Sequence, residues 1–387
     1  MRLFSEDKLL LLDTDVAVRL QSCGMPSDAF LPVWALSHAQ QTVTALREDI
    51  AAGCEALCAP TDGAIRPRIR ARGLRRDVRK LNGELVAAAR EAADGRPVGG
   101  AIGSTGLRIY PVGSAAFDEL TRAFYEQAAA LEEAGVDFYC VRSQESLAEC
   151  RAALLALRAV TEKPVVVTMR CDASGRTPNG EDLPSVLVAL QDMGVSAFGM
   201  EGTGNMGLIS RQISRMKSHA VIPLCVRADA GRAVLRGGVP CYAPIGGKVA
   251  AALPKLAGSG VRLFGGGAGT GPELIAALRE AAMNWLPDEI APVEERPTVA
   301  ASPFRLQELT PRLKIGDIAI DENILENASV YEAMGIKLLR LELHDDEELD
   351  LLDEAQYTLR LPIAVHCADG ELLERFLKIY NGKPVIL

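Results

Sequence analysis

Residues 263–273, LFGGGAGTGPE, carry an apolar strand into four small residues, Gly265, Gly266, Gly267 and Ala268. Gly269-Thr270-Gly271 follows, then Pro272 at a first-turn position and the helical run ELIAALREAAMNWL. Such a turn before a helix presents backbone N–H groups and the positive end of a dipole, which suit an anion. The alternative is that the glycines only keep the turn tight. Arg142 closes the apolar run VDFYCVR. A guanidinium there favours a carboxylate- or phosphate-bearing ligand. It would equally serve an internal ion pair with Asp13, Asp15 or Glu201. Cys58 and Cys171 end strand-like runs and Cys241 lies in a loop, so a thiolate metal site is a further reading. The four histidines are scattered, and only His366, beside Cys367 at a strand end, is a site candidate; packing at that strand end is its other reading.

The elements that must hold these residues alternate. Strands are expected over 9–13, 56–61, 97–102, 137–142, 164–169, 197–200, 222–227 and 261–265, with amphipathic helices around 37–52, 76–93, 115–134, 146–160, 180–193, 204–218, 247–258 and 272–285. Eight strand–helix units in about 285 residues are the size of one (β/α)8 TIM barrel, whose sites lie at the C-terminal ends of its strands. A doubly wound sheet is the runner-up, but Asp13-Thr14-Asp15 is not its glycine-rich first turn. The four prolines within 286–307 mark a linker. Further strands at 314–320, 337–342, 362–366 and 384–387 alternate with helices near 323–334, 345–358 and 369–380. The expected division is a barrel over 1–290, a linker over 291–310 and a small α/β appendage over 311–387.

Composition narrows the function classes. With 48% hydrophobic residues the 387-residue chain can bury a large core and a smaller one. A net charge of −9 disfavours nonspecific binding to nucleic acid or acidic membranes. The run RPRIRARGLRRDVRK (66–80) holds seven arginines and a lysine but no aromatics, and reads as a solvated face or a lid over an anionic ligand. The acidic run 344–354 suits a helix N-terminus. No apolar stretch approaches the roughly 20 residues that span a bilayer, and the N-terminus lacks a signal-peptide pattern. Nine cysteines, several inside apolar strands, fit reduced thiols and a cytoplasmic location.

Several blocks, in order, resemble the homocysteine S-methyltransferase family over about residues 5–285. LLLDTDVAVRLQ is similar to the family's LLLDGAMGTxLQ, VGGAIGSTG to VAGSIGPTG, FGMEGTGNM to its IGINCS block, and VRADAG to VKPNAG. Residues 263–273 resemble GG-Cys-Cys-GT-x-PE. Residues 312–387 resemble the opening of the pterin-binding domain that follows this barrel in cobalamin-dependent methionine synthases, most clearly in LPIAVHCADGELLERFLKIYNGKPVI.

The resemblance implies methyl transfer to the homocysteine sulfur from a methylated corrinoid or S-methyl donor. It implies zinc, because zinc ligation turns a weakly acidic thiol into a thiolate nucleophile. The three family ligands correspond here to Gly202, Gly267 and Ala268, which have no ligand atoms. The family glutamate of IET is Arg142. In the pterin-like part the DVN residues are Arg340-Leu341-Glu342, and the IDS aspartate is His366. The resemblance places substrate-binding candidates at Asp13, Thr61, Ser104, Arg142, Ser143, Glu201, Asp229 and Gly266. It assigns no catalytic residue and no metal ligand. Cobalamin or folate enters by family analogy alone. The expected partners are a small molecule, anionic if Arg142 and the glycine turn both face it, and a corrinoid protein or other methyl-transfer subunit. A homo-oligomer is compatible with this reading. The alternative function is a non-catalytic homologue that binds a small molecule or serves in assembly.

Overall fold

The computed structural model describes residues 4, 8–109, 113–236, 239–285 and 296–387. Its first part is a parallel barrel of β1 (Leu10–Leu11), β2 (Leu57–Ala59), β3 (Val98–Ile102), β4 (Phe138–Gln144), β5 (Val165–Arg170), β6 (Ala197–Glu201), β7 (Leu224–Ala228) and β8 (Val261–Gly266). The hydrogen-bonded order runs β1-β8-β7-β6-β5-β4-β3-β2. The ring closes where Leu12 bridges Ala56 in parallel and the Glu55 amide donates to the Leu11 carbonyl at 2.8 Å. The expected (β/α)8 barrel is therefore present, and closure leaves its strands no exposed edge.

The strands are apolar on both faces because helices cover the outside and side chains fill the inside. Leu12, Ala56, Cys58, Ala101, Phe138, Cys140, Val166, Ala197, Cys225 and Leu263 form the interior cluster. A Cβ on Gly99 would lie 2.5 Å from the Phe138 ring, so glycine is what lets that large side chain point inward. Outside run α1 (Ala39–Ala52), α2 (Val78–Ala93), α3 (Phe117–Glu133), α4 (Leu147–Arg158), α5 (Leu183–Gln191), α6 (Met206–Lys217), α7 (Gly246–Ala257) and α8 (Pro272–Met283). Several start on side-chain caps: Asp77 accepts from the Lys80 amide and Ser146 from that of Glu149. Three short helices, Val16–Ser22, Leu31–Ser37 and Arg66–Ala71, and the antiparallel pair Val234–Arg236 and Val239–Cys241 decorate the loops after β1, β2 and β7.

After the barrel stands a four-stranded parallel sheet of β9 (Ile315–Asp317), β10 (Leu338–Glu342), β11 (Ile363–His366) and β12 (Val385–Ile386). Helices α9 (Ile324–Ala333), α10 (Asp346–Ala355) and α11 (Gly370–Ile379) connect the strands, and Leu339, Leu341, Ile363 and Val365 pack against Ile324, Leu352 and Phe376. The acidic run begins α10, with Asp345 accepting from the Glu348 amide. His366 is exposed at the end of β11.

Part of the expected linker, 286–295, lies outside the described residues. The rest departs from the expectation. Val299–Ala301 and Leu306–Glu308 form an antiparallel hairpin. Val299 and Ala301 pack with Val188 of α5, while Ala300, on the other face, packs with Leu338 and Ala364 of the appended sheet. Alternating faces make this a buried bridge between the two parts. Two alanines and a valine between prolines gave too weak a pattern to read as a strand.

Candidate functional site

The floor of the barrel mouth is an ion pair. Asp13 follows β1, and its Oδ1 accepts from Arg227 Nη1 at 3.0 Å while Oδ2 accepts from the Cys58 amide at 2.9 Å. Arg227 projects inward from β7 and its side chain is 0% exposed. Burial alone would lower its pKa, but the carboxylates of Asp13 and Glu201 hold it well above the ordinary value. Its Nε and Nη2 have no partner among the described residues.

One wall is built by β4, β5 and β6. Arg142 donates to Asp62, a residue of the loop after β2. Burial works against the charged guanidinium, and Asp62 and Glu201 more than offset it, so the pKa is raised. The sequence offered Asp13, Asp15 or Glu201 as its partner. The structure gives Asp62 because the β2 loop brings that carboxylate across the mouth. Beyond Val141 the β4–β5 register slips, and Ser143 takes the left-handed conformation with φ 55°. That geometry turns its amide toward Glu201 Oε2 at 3.2 Å, which also accepts from Thr168 Oγ1 at 2.8 Å. A non-glycine residue in this region is uncommon and marks a position fixed by its surroundings.

The opposite wall is the glycine turn, and its amides are already bonded. Gly266 donates to the Asp13 carbonyl at 3.0 Å and Gly267 to that of Ala228 at 2.9 Å. Ala268 donates to Asp229 Oδ1 at 3.0 Å and Gly269 to Asp15 Oδ2 at 3.1 Å. The turn does attract negative charge, but two carboxylates of the chain itself supply it. Asp229 Oδ1 accepts in addition from the Gly202 amide at 3.2 Å. Burial and the neighbouring Glu201 push Asp229 up to about 6, against Arg170, whose Nη2 stands 3.8 Å from Oδ2, and against the two amides. Burial likewise raises Asp15, opposed by the Gly269 amide and Arg142. The Tyr242 ring lies over Gly269, where a Cβ would meet it at 2.4 Å. Burial raises the Tyr242 hydroxyl, and Asp15 and Asp229 raise it further.

Of the candidate residues, Asp13, Arg142, Ser143, Glu201, Asp229 and Gly266 gather at this mouth. Gly266 is needed for packing, since a Cβ would meet Thr270 Oγ1 at 2.0 Å. Thr61 is buried and its hydroxyl ties β2 to β3 through the Ala101 carbonyl at 2.7 Å. Ser104 is half-buried in the loop after β3, bonded through Oγ to the Gly106 amide. Gly202, Gly267 and Ala268 do converge, but on Asp229: a Cβ on Gly267 would stand 2.0 Å from Asp229 Oδ1. Cys58 is enclosed in the barrel, its thiol raised by the Cys140 thiol and by burial. Burial raises Cys171 to about 11, and Cys241 lies in the antiparallel pair. Among the described residues, no three or more His, Cys, Asp or Glu side chains are grouped so as to hold a metal ion.

Arg227, Asp62, Thr168, Arg170 and Tyr242 escaped the sequence reading. Only Arg227 left a signal, a charge inside the buried strand LCVRA.

A TIM barrel that gathers its polar groups at the C-terminal mouth is the class that fold and site define. The chain belongs to the homocysteine S-methyltransferase family, whose model matches residues 10–282. It is 28% identical over 220 residues to the methionine synthase of Mycobacterium tuberculosis, covering 54% of this chain and 18% of that protein. It is 27% identical over 182 residues to that of Mycobacterium leprae, covering 46% and 15%. The chain thus spans less than a fifth of the length of these relatives. The Escherichia coli homocysteine methyltransferase MmuM, in its metallated form, shares the fold with a TM-score of 0.60 at 21% identity, over 70% of this chain and 96% of that one. Among the described residues, no helix is long and apolar enough to cross a membrane.

Proposed function

We propose that the barrel mouth transfers a methyl group to a small thiol, and that it does so without the zinc its family implies. The observation that carries the reading is the Asp229 carboxylate, held by the amides of Gly202 and Ala268 at two of the three positions where the family's thiolates would stand and filling the space of a side chain at the third, Gly267. Backbone and one carboxylate do not make the nitrogen- and sulfur-rich tetrahedral set that zinc takes. An aspartate titrating near 6 is ionised at neutral pH and can accept a proton. In the step, the acceptor sulfur bonds the methyl carbon, the donor's bond to that carbon breaks, and the thiol proton passes to Asp229. The homocysteine-type acceptor, a cobalamin- or folate-borne methyl group and a corrinoid-protein partner follow from the family and belong to the same proposal.

A second reading is a non-catalytic homologue that binds a small molecule or serves in assembly. It is favoured by the internal bonding of the site: Arg142 is held by Asp62, and the turn amides by Asp15 and Asp229.

The test is a methyl-transfer assay to homocysteine from S-methyl and methylcorrinoid donors, run on protein whose zinc content has been measured. Turnover by zinc-free protein that falls at least about tenfold in Asp229→Asn supports the proposal. Turnover that follows added zinc overturns it. No turnover with any donor, together with a melting shift on adding homocysteine, favours the second reading.

A further inference from the structure

The arginine run 66–80 is not used by the mouth. It forms the short helix Arg66–Ala71 and the loop leading to α2, on the face where β2 ends. Two of its arginines fix the scaffold. Arg68 Nε donates to the Ser104 carbonyl at 2.6 Å, and Arg72 Nη1 to that of Asp28 at 2.7 Å, with its guanidinium 5.9 Å from the centre of the Phe30 ring. Between these anchors and the start of α2 lies a cleft of about 560 Å³, with Ile69 and Leu74 beside Arg66, Arg70, Arg75 and Arg76. Arg66 is paired with Glu126 of α3. The side chains of Arg70, Arg75 and Arg76 make no hydrogen bond or ion pair with any described residue. The carboxylate on the rim, Asp77, is engaged in capping α2.

Three unpartnered guanidinium groups around one cleft are unusual on a chain of net charge −9, where carboxylates outnumber basic groups 51 to 42. Some surface arginines find acids, as Arg47 does in Glu91 and Arg90 in Asp137, whereas Arg211, Arg232, Arg279 and Arg312 likewise have no side-chain bond to a described residue. What sets this cleft apart is that three such arginines line it together. Here like charges are held together, which costs energy unless a counter-charge is bound. Arginine rather than lysine supplies all of the positive charge that lines the cleft, against the single carboxylate of Asp77, and its planar fork matches the oxygens of a tetrahedral oxyanion.

We propose that this cleft is a binding site for a phosphate dianion, distinct from the barrel mouth and independent of the reaction proposed there. Guanidinium groups at 70, 75 and 76 grip its oxygens, and the paired Arg66 closes the cavity from the side. The probes are inorganic phosphate and glycerol 3-phosphate, titrated calorimetrically into the full chain at low and at physiological ionic strength. The expected result is one-to-one binding that survives the higher salt. The triple variant Arg70→Lys/Arg75→Lys/Arg76→Lys keeps the charge but loses the fork and weakens binding about tenfold, and the corresponding triple alanine variant abolishes it. Stronger binding of glycerol 3-phosphate identifies a monoester as the ligand, and equal binding identifies the phosphate group alone; both support the site. Unchanged melting curves show that these exposed substitutions leave the fold intact. Three results overturn the proposal: no binding by the wild-type chain, lysine and wild-type proteins binding alike with both lost in salt, or a loss of phosphate binding in Asp229→Asn.

Discussion

Asp229 and Gly267 are matched: a Cβ on residue 267 would stand 2.0 Å from Asp229 Oδ1, closer than any real contact. That oxygen is fixed from two other directions by the amides of Gly202 and Ala268. The absent side chain at 267 and the carboxylate at 229 are therefore two halves of one arrangement. Any side chain returned to 267 must first displace the aspartate.

Gly267→Ala should accordingly destabilise the barrel by about 1–3 kcal/mol through overpacking at a rigid turn. Asp229→Ala alone frees two amides near the mouth and should cost about 1 kcal/mol or more. Because the clash disappears when both change, the double variant should cost clearly less than the sum. Urea unfolding of the four proteins in a cycle measures that coupling. Strict additivity would sink the claim that the two residues compete for one space.

The floor pair behaves differently. Asp13→Ala leaves the buried Arg227 guanidinium without the carboxylate bonded to it and with Glu201 as its remaining nearby counter-charge, a change worth about 3 kcal/mol. Arg227 has two N–H-bearing atoms without a hydrogen-bond partner among the described residues, so its hydrogen bonding is incomplete even in the wild type. Replacing both members by apolar residues, Asp13→Leu with Arg227→Met, should therefore be milder than removing the acid alone. Equilibrium unfolding midpoints decide it, and a double variant weaker than Asp13→Ala would contradict the argument.

The barrel was legible because period and length carry it: short apolar runs such as VVVTMR and LFGG, rich in β-branched residues or flanked by glycine, read as buried strands, and the helices between them are amphipathic. The hairpin at 299–308 was not legible, since three small residues between prolines show no periodicity and are buried only by what lies on either side. At the site, the chemical types could be read but the partnerships could not. Arg142 was visible as a base at a strand end, whereas its partner Asp62 depends on the path of the β2 loop. The glycine turn was visible as a set of donors. That Asp15 and Asp229 fill it depends on three loops meeting, which spacing along the chain does not encode.

Arg151, on α4, offers a prediction for the junction of the two parts. Its guanidinium donates to the carbonyls of Leu377, Lys378 and Ile379 at 2.8, 3.1 and 3.0 Å, capping the C-terminal end of α11. No carboxylate of the described residues forms a salt bridge with it, and burial lowers it to about 10, against the nearby Tyr357, Tyr380 and Asp353. Arg151→Met should leave those carbonyls unbonded and loosen the appended sheet, at a cost of about 2–3 kcal/mol. Hydrogen exchange should quicken in 370–379 while the barrel strands stay protected. Equal protection of α11 in both proteins would show that the cap is dispensable.

Glu181 makes stability depend on pH. It is 6% exposed, and its two oxygens accept from the Leu147 amide at the start of α4 and from the Thr177 hydroxyl, both at 2.7 Å. Burial pushes its carboxyl from 4.5 up to about 7, against those two bonds. The folded state therefore binds the proton more tightly than the unfolded chain. Its contribution is fully present below pH 4.5, falls as pH rises, and is lost above about pH 7, a change on the order of 3 kcal/mol. Asp229, raised from 3.8 to about 6, acts in the same direction over a lower window. Glu181→Gln keeps the shape and an acceptor for Leu147 but cannot ionise. Its stability should match the wild type in acid and exceed it above pH 7, so the difference between the two curves traces the titration. Parallel curves across that range, measured by urea unfolding, would show that Glu181 ionises without cost to the fold.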